Sequence, residues 1–169
     1  MSAPRISMIV ACDRVLGIGK DGDIPWHIPA DIGWFKDLTL GKTVIMGSRT
    51  YDSMGRALPG RRNIVLSSNP AREFAGAAKA ESVVHAVSML TGGETMVIGG
   101  GEIYRQFLPL ATTVYMTKVD TYIKADTFFP IMESLEWSLS YDKDVPIGHG
   151  TSYNLKFQTW MRTERHNVP

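Results

Sequence analysis

Residues 42–68 read KTVIMGSRTYDSMGRALPGRRNIVLSS, and this stretch decides the fold. KTVIMG is short and apolar, as a buried strand is. Gly47 closes it, and SRTYDSMG reads as a short helix. RALPGRR puts Pro-Gly at the centre of a turn, and NIVLSS is again a strand. A strand, a helix and a strand in so short a span form a crossover unit, which joins parallel neighbours with a right-handed connection.

The same alternation continues in both directions. Arg5–Ala11, RISMIVA, reads as a buried first strand. CDRVLGIGKDGDIPWHIP follows, with three glycines and two prolines, too long for a simple turn and fit for a functional loop. From Ala30 the spacing of Ile32, Phe35 and Leu38 predicts a helix with one core-facing stripe, ending near Gly41. ESVVHAVSML predicts a helix with Val83, Val84, Val87 and Leu90 on one side. TMVIGGG is a strand passing into the helix EIYRQFL, and TVYMTKV is another strand. The end differs: EWSLSYD and TSYNLKFQTWM alternate in polarity and are separated by KDVPIGHG without a helix, which reads as an antiparallel hairpin on the sheet edge. The expected class is therefore α/β, a mixed sheet that is mostly parallel with helices on both faces. One domain over 1–169 is expected, its tail frayed from about residue 163.

Composition narrows the function. With 169 residues, 44% hydrophobic and 21% charged, the chain can bury a core without metal or disulfide. A formal net charge of +1 gives no reason to expect nucleic acid or an acidic membrane surface. Cys12 is the one cysteine, so no internal disulfide exists and a reducing, cytoplasmic setting is expected; as it follows an apolar run it reads as a small buried hydrophobe. No Cys/His cluster has metal-site spacing, and no stretch has the length of a membrane span.

Ligands of open α/β sheets gather beyond the carboxyl ends of the strands. Four features fall there. VIGGGEIY sets Gly99, Gly100 and Gly101 between a strand and a helix, where bare backbone can approach a pyrophosphate; a tight turn is the plain alternative. GSRT, Gly47–Thr50, offers amides, two hydroxyls and a guanidinium at a second helix start, or an ordinary N-cap at Ser48 or Thr50. LSSN, Leu66–Asn69, is a capped turn or a third contact. Two phosphate-competent turns on one edge suggest a dinucleotide, although neither the Rossmann nor the Walker A pattern is present. RALPGRR carries Arg56, Arg61 and Arg62 around a rigid turn, suited to a substrate carboxylate or simply solvated.

The fourth feature is Asp31, set among Trp26, Trp34, Phe35 and Leu38. A carboxylate there loses hydration and its pKa rises unless something donates to it. A heterocycle with an N–H beside an amino group would supply two donors. A helix cap turned to solvent would also explain it, and the residues alone leave both open.

GIGKDGDIPWHIPADIGWFK, VIMGSRTYDSMGRALPGRRNIVLSS, VIGGGEIYRQFLP, YMTKVD and DTFFP occur in the order and spacing of dihydrofolate reductase, which the chain resembles over nearly its whole length. The resemblance implies reduction of 7,8-dihydrofolate to tetrahydrofolate, with hydride passing from NADPH to C6 and a proton reaching N5, by a cytoplasmic monomer. Asp31 matches the family's active-site carboxylate, which grips the pterin amino group and ring N–H, and Thr117 the hydroxyl that supports it. Trp26 matches the residue closing the loop over the nicotinamide. Phe35, Met54 and Leu58 match walls for the pterin and benzoyl groups. Arg61 matches the arginine for the glutamate α-carboxylate, with Arg56 helping at the tail. The carbonyls of Ile9 and Ile98 are expected to face the pterin amino group, and Tyr104 to lie near the nicotinamide. NADPH contacts are expected from Ala11, from Gly17, Ile18, Gly19, Lys20, Asp21, Gly22 and Asp23, and from Gly47, Ser48, Arg49 and Thr50. Leu66, Ser67, Ser68 and the run Gly99, Gly100, Gly101, Glu102, Ile103, Tyr104 and Gln106 complete that set. In this family the Gly99–Gly100 link is expected to be cis. Many bacterial members carry arginine at the place of Ser48, where it meets the 2′-phosphate; here Arg49, Ser67 and Ser68 are expected to share that duty. The nearest alternative is a pyrimidine reductase of riboflavin synthesis, which shares the fold and NADPH. A catalytically silent nucleotide-binding module is the alternative from another class.

Overall fold

The computed structural model describes residues 4–20 and 26–163. Eight strands make one sheet: β1 (Pro4–Cys12), β3 (Thr43–Gly47), β4 (Arg62–Leu66), β5 (Ala77–Ala80), β6 (Gly93–Gly99), β7 (Thr113–Val119), β9 (Trp137–Val145) and β10 (Leu155–Arg162). Two more, β2 (Gly17–Gly19) and β8 (Thr127–Phe128), form a separate two-stranded ribbon. The sheet order is β5-β4-β3-β6-β1-β7-β10-β9. All pairings from β5 to β7 are parallel, whereas β10 runs antiparallel to both β7 and β9.

Helices α1 (Pro29–Thr39), α2 (Ser48–Met54), α3 (Val83–Ser88) and α4 (Gly101–Phe107) cover the two faces. The strand pleat sorts them. Met8, Val10, Ile45, Ile64, Val97 and Met116 point to the face packed by Val83, Ala86, Ile103 and Phe107 of α3 and α4. Their strand neighbours Ile9, Val44, Met46, Val65 and Met96 point to the opposite face, against Trp34, Phe35, Leu38, Tyr51 and Met54 of α1 and α2. Strands buried on both sides carry no polar alternation, which is why they read as continuous apolar runs.

Four details differ from the sequence reading. The strand β5 is AAKA, with no β-branched or aromatic residue to announce it. It is a strand because Asn63–Leu66 offers an edge to pair with. Ile32 and Val84 are 48% and 80% exposed, so neither belongs to the stripe assigned to it. α1 instead turns Trp34, Phe35 and Leu38 inward, and α3 packs through Val83, Ala86 and Val87. β9 continues through Lys143–Val145, paired with Leu155–Phe157, so the connection is shorter than KDVPIGHG. The ribbon of β2 and β8 is too short to show any periodicity. The expected contacts of Asp21, Gly22 and Asp23 lie outside the described residues. So does the tail expected to fray from about residue 163, apart from Thr163 itself, whose N–H donates to Glu136 O and whose hydroxyl donates to Leu135 O, each at 2.8 Å.

Candidate active site

α1 starts without a side-chain cap. Pro29 at its first position has no amide to satisfy. The Ala30 N–H donates to Gly150 O at 2.9 Å, and the Asp31 N–H to Ile28 O at 3.0 Å. The connection between β9 and β10 thus does the capping that the sequence also offered to Asp31, and the Asp31 carboxylate is free to turn inward. Thr117 of β7, 1% exposed, donates its hydroxyl to Asp31 Oδ1 at 2.7 Å. Burial raises the Asp31 pKa above the ordinary carboxylate value, and the Thr117 hydrogen bond offsets part of that rise. Asp31 in turn helps push the buried phenol of Tyr104 up, although burial of the phenol itself is the larger cause.

Next to this pair runs a cleft of about 720 Å³, within the size of small-molecule and cofactor sites. Ala11, Ile18, Gly19, Phe35, Met54, Leu66 and Ile98 line it, with Gly47, Ser48, Arg49 and Thr50 on one side and Gly100, Gly101, Glu102, Ile103 and Tyr104 on another. The N-caps of α2 and α4 are Gly47 and Gly100, and neither helix start has a side-chain cap. Two sets of uncapped first-turn amides therefore border one space, as a pyrophosphate requires. Glycine is needed for the close approach. A Cβ at Gly47 would stand 2.9 Å from Ile103 Cγ1, and one at Gly101 2.7 Å from Thr127 Cγ2. The Gly99–Gly100 peptide is cis, as the resemblance implied. The residues present fit NADPH.

The Tyr104 hydroxyl lies 2.6 Å from Ile9 O and 2.9 Å from Ile98 O. A phenol has one proton, so it donates to one of these carbonyls at a time, and a carbonyl oxygen has a second lone pair for a further donor. At the far end, the turn before β4 is held by Asn63, 3% exposed. Its Oδ1 accepts from Leu58 N–H at 2.9 Å, and its Nδ2 donates to Leu58 O and Arg61 O, each at 3.0 Å. That staple fixes Leu58 and Arg61, and Arg61 Nε is buried with no partner among the described residues. A buried guanidinium N–H without an acceptor fits an anionic ligand group. Arg62, by contrast, donates to Met89 O at 2.8 Å.

A model of the family described as dihydrofolate reductase matches residues 5–162. The chain belongs to the dihydrofolate reductase family. It is 45% identical over 158 residues to a dihydrofolate reductase type 3 of Salmonella typhimurium, covering 93% of this chain and 98% of that one. It is 42% identical to the dihydrofolate reductase of Haemophilus influenzae, over 89% and 94% of the two chains. A dihydrofolate reductase from Enterococcus faecalis, solved as a complex with NADP(H) and RAB-propyl, superposes with a TM-score of 0.89 at 30% identity over 95% of this chain and 97% of that one.

The remaining expected residues are not part of the cleft wall. Ser67 and Ser68 follow the end of β4, and Lys20, Arg56 and Gln106 are exposed. Gly17 is buried in the ribbon. Trp26 packs against the cluster of Ile28, Val119, Val145, Leu155 and Phe157. Four residues escaped the sequence reading. Val10, Ser53 and Thr127 line the cleft, and Asn63 builds the arginine turn. Ser53 and Thr127 lie inside quoted motif blocks and Val10 inside the first apolar run, so each was within reach of the sequence, although the pairing of β8 with β2 is what carries Thr127 to the cleft.

Proposed function

We propose that this chain reduces 7,8-dihydrofolate to 5,6,7,8-tetrahydrofolate with NADPH, supporting one-carbon metabolism and thymidylate synthesis, and that Asp31 is its catalytic carboxylate. The observation that carries the assignment is a half-buried acid of raised pKa, held through one oxygen by Thr117 beside a cleft of cofactor size. Thr117 takes one lone pair of Oδ1, and the two carboxylate oxygens accept in parallel from the pterin amino group and ring N–H, one donor to each oxygen. The negative charge placed there orients the ring and raises the basicity of N5, which takes its proton from water. Phe35, Met54 and Leu58 cover the pterin and benzoyl faces, Ile9 and Ile98 offer carbonyls to the amino group, and Trp26 closes the loop over the nicotinamide. Arg61 holds the glutamate α-carboxylate, with Arg56 nearby. The turns at Gly47–Thr50 and Gly99–Gly101, with Ala11, Ile18, Gly19 and Leu66, hold the cofactor. Arg49, Ser67 and Ser68 meet its 2′-phosphate, and Lys20, Glu102 and Gln106 lie along its edge. When bound, NADPH supplies the hydride that C6 receives.

The chain's one cysteine, Cys12, leaves no internal disulfide to form, which is in keeping with a reducing cytoplasm, and the family habit supports a monomeric single domain. Among the described residues no helix is long and apolar enough to cross a membrane. Loss of NADPH absorbance with dihydrofolate as sole acceptor, run beside NADH, tests the assignment. Oxidation with dihydrofolate and a clear preference for NADPH are expected. No oxidation, or oxidation only with the riboflavin-pathway pyrimidine, removes it.

A further inference from the structure

Asp13 is the one acidic side chain among the described residues with 0% exposure. It has no ion pair among them. Its charge is met by three backbone amides: Oδ1 accepts from Val15 N–H at 2.9 Å and Gly17 N–H at 2.7 Å, and Oδ2 accepts from Ile123 N–H at 3.1 Å. One oxygen therefore builds the turn into β2, and the other ties that turn to the segment leading into β8. The β2–β8 ribbon contributes Ile18, Gly19 and Thr127 to the cleft wall. Strands of three and two residues do not hold a position by themselves. Their further main-chain links are two, Asp126 N–H to Gly19 O at 3.0 Å and Phe129 N–H to Leu16 O at 2.8 Å. A buried carboxylate accepting three amides is the strongest fixed point at the joint.

We propose that Asp13 is a positioning residue: it sets where the ribbon stands across the cofactor cleft, and so governs cofactor affinity and turnover while touching neither ligand. The proposal rests on the NADPH-dependent reading above. Asparagine separates the two halves of the joint. In Asp13→Asn the amide oxygen still accepts from Val15 and Gly17, so the turn survives, but the amide nitrogen faces the Ile123 N–H, donor against donor. Gly17→Ala strains the same joint from the other side, since its Cβ would stand 2.6 Å from Ala125 Cβ and 2.8 Å from Asp13 Oδ2.

The test uses the full chain in three forms: parent, Asp13→Asn and Gly17→Ala. Measured are NADPH dissociation by quenching of tryptophan fluorescence, KM for each substrate, kcat, and peptide-level hydrogen exchange without ligand. The expected result for both variants is a weakening of NADPH binding by about tenfold. KM for dihydrofolate should stay within about twofold, below what one lost hydrogen bond would cost. Exchange should quicken in 121–129 while the central strands β1, β3 and β6 stay as protected as in the parent. Parental NADPH binding in Asp13→Asn overturns the proposal, and so does a uniform loss across both substrates with exchange quickened throughout the sheet. An inactive parent chain would instead overturn the reading on which the proposal rests.

Discussion

Replacing Asp31 by asparagine should make the protein a poorer enzyme and a more stable one. Asparagine is nearly the same size and keeps an oxygen for the Thr117 hydroxyl, which lies 2.7 Å from Asp31 Oδ1. The other oxygen becomes an amino group. Where the carboxylate accepted from the pterin, a donor now faces a donor. One charge-assisted hydrogen bond is lost and one buried donor is left unmatched, together about 3–5 kcal/mol. That corresponds to a fall in kcat/KM of roughly a few hundredfold to a few thousandfold at neutral pH. The loss should shrink by about tenfold for each pH unit of acidification, because protonated substrate then comes from solution. The stability change has the opposite sign. Burial raises the folded pKa of Asp31 above its ordinary 3.8, so the folded state binds its proton more tightly than the unfolded chain does. Stability therefore falls as pH rises from the ordinary value through the raised one, and the ionised acid remains a cost above that window. Asparagine carries no such cost. The variant should melt above the parent at pH 7, and the gap should close toward pH 4. Stopped-flow turnover across pH and thermal melts of the ligand-free proteins are the assays. Turnover within about threefold of the parent at pH 7 is far less than one charged hydrogen bond is worth and would refute the role of the carboxylate. A variant melting below the parent at pH 7 would refute the burial argument.

Arg61→Met should raise KM for dihydrofolate by about ten- to a hundredfold, as loss of a bidentate carboxylate contact does, while a pterin without a glutamate tail is unaffected; steady-state kinetics with both substrates decide. Gly101→Ala sets a Cβ 2.7 Å from Thr127 Cγ2 and should weaken NADPH binding in fluorescence titration far more than it changes KM for dihydrofolate. Far from the cleft, Glu94 accepts from Lys42 and Ser7 at 2.6 Å each and from Tyr115 at 3.0 Å. Burial pushes its pKa up, but these donors outweigh it and hold the carboxyl below its ordinary 4.5. Its stabilisation is therefore present above that value and is lost as pH falls through the depressed one. Glu94→Gln should cost about 2 kcal/mol in urea unfolding at pH 7, with the difference fading below pH 4 and turnover unchanged.

Much of this protein is determined locally. The strands β1, β3, β4, β6 and β7 are continuous apolar runs because both of their faces are covered, and any arrangement that buries them leaves the glycine turns after β3 and β6 at their carboxyl ends. Gly47 and Gly100 could be read as candidate phosphate turns for the same reason: a bare backbone at a helix start leaves amides open to a ligand, although a tight turn would use glycine equally well. Pairing across the chain decided the rest. AAKA became a strand only because Asn63–Leu66 presented an edge to it. Thr127 reached the cleft only through β2, and Asn63 became the staple of the Arg61 turn by folding back on it. Asp31 marks the boundary. Its sequence allowed a helix cap as readily as a buried acid. The choice was made by Gly150, whose carbonyl caps α1 from more than a hundred residues away, and by Thr117, whose hydroxyl waits on β7. A carboxylate's partners are a matter of three-dimensional position, and no local pattern records them.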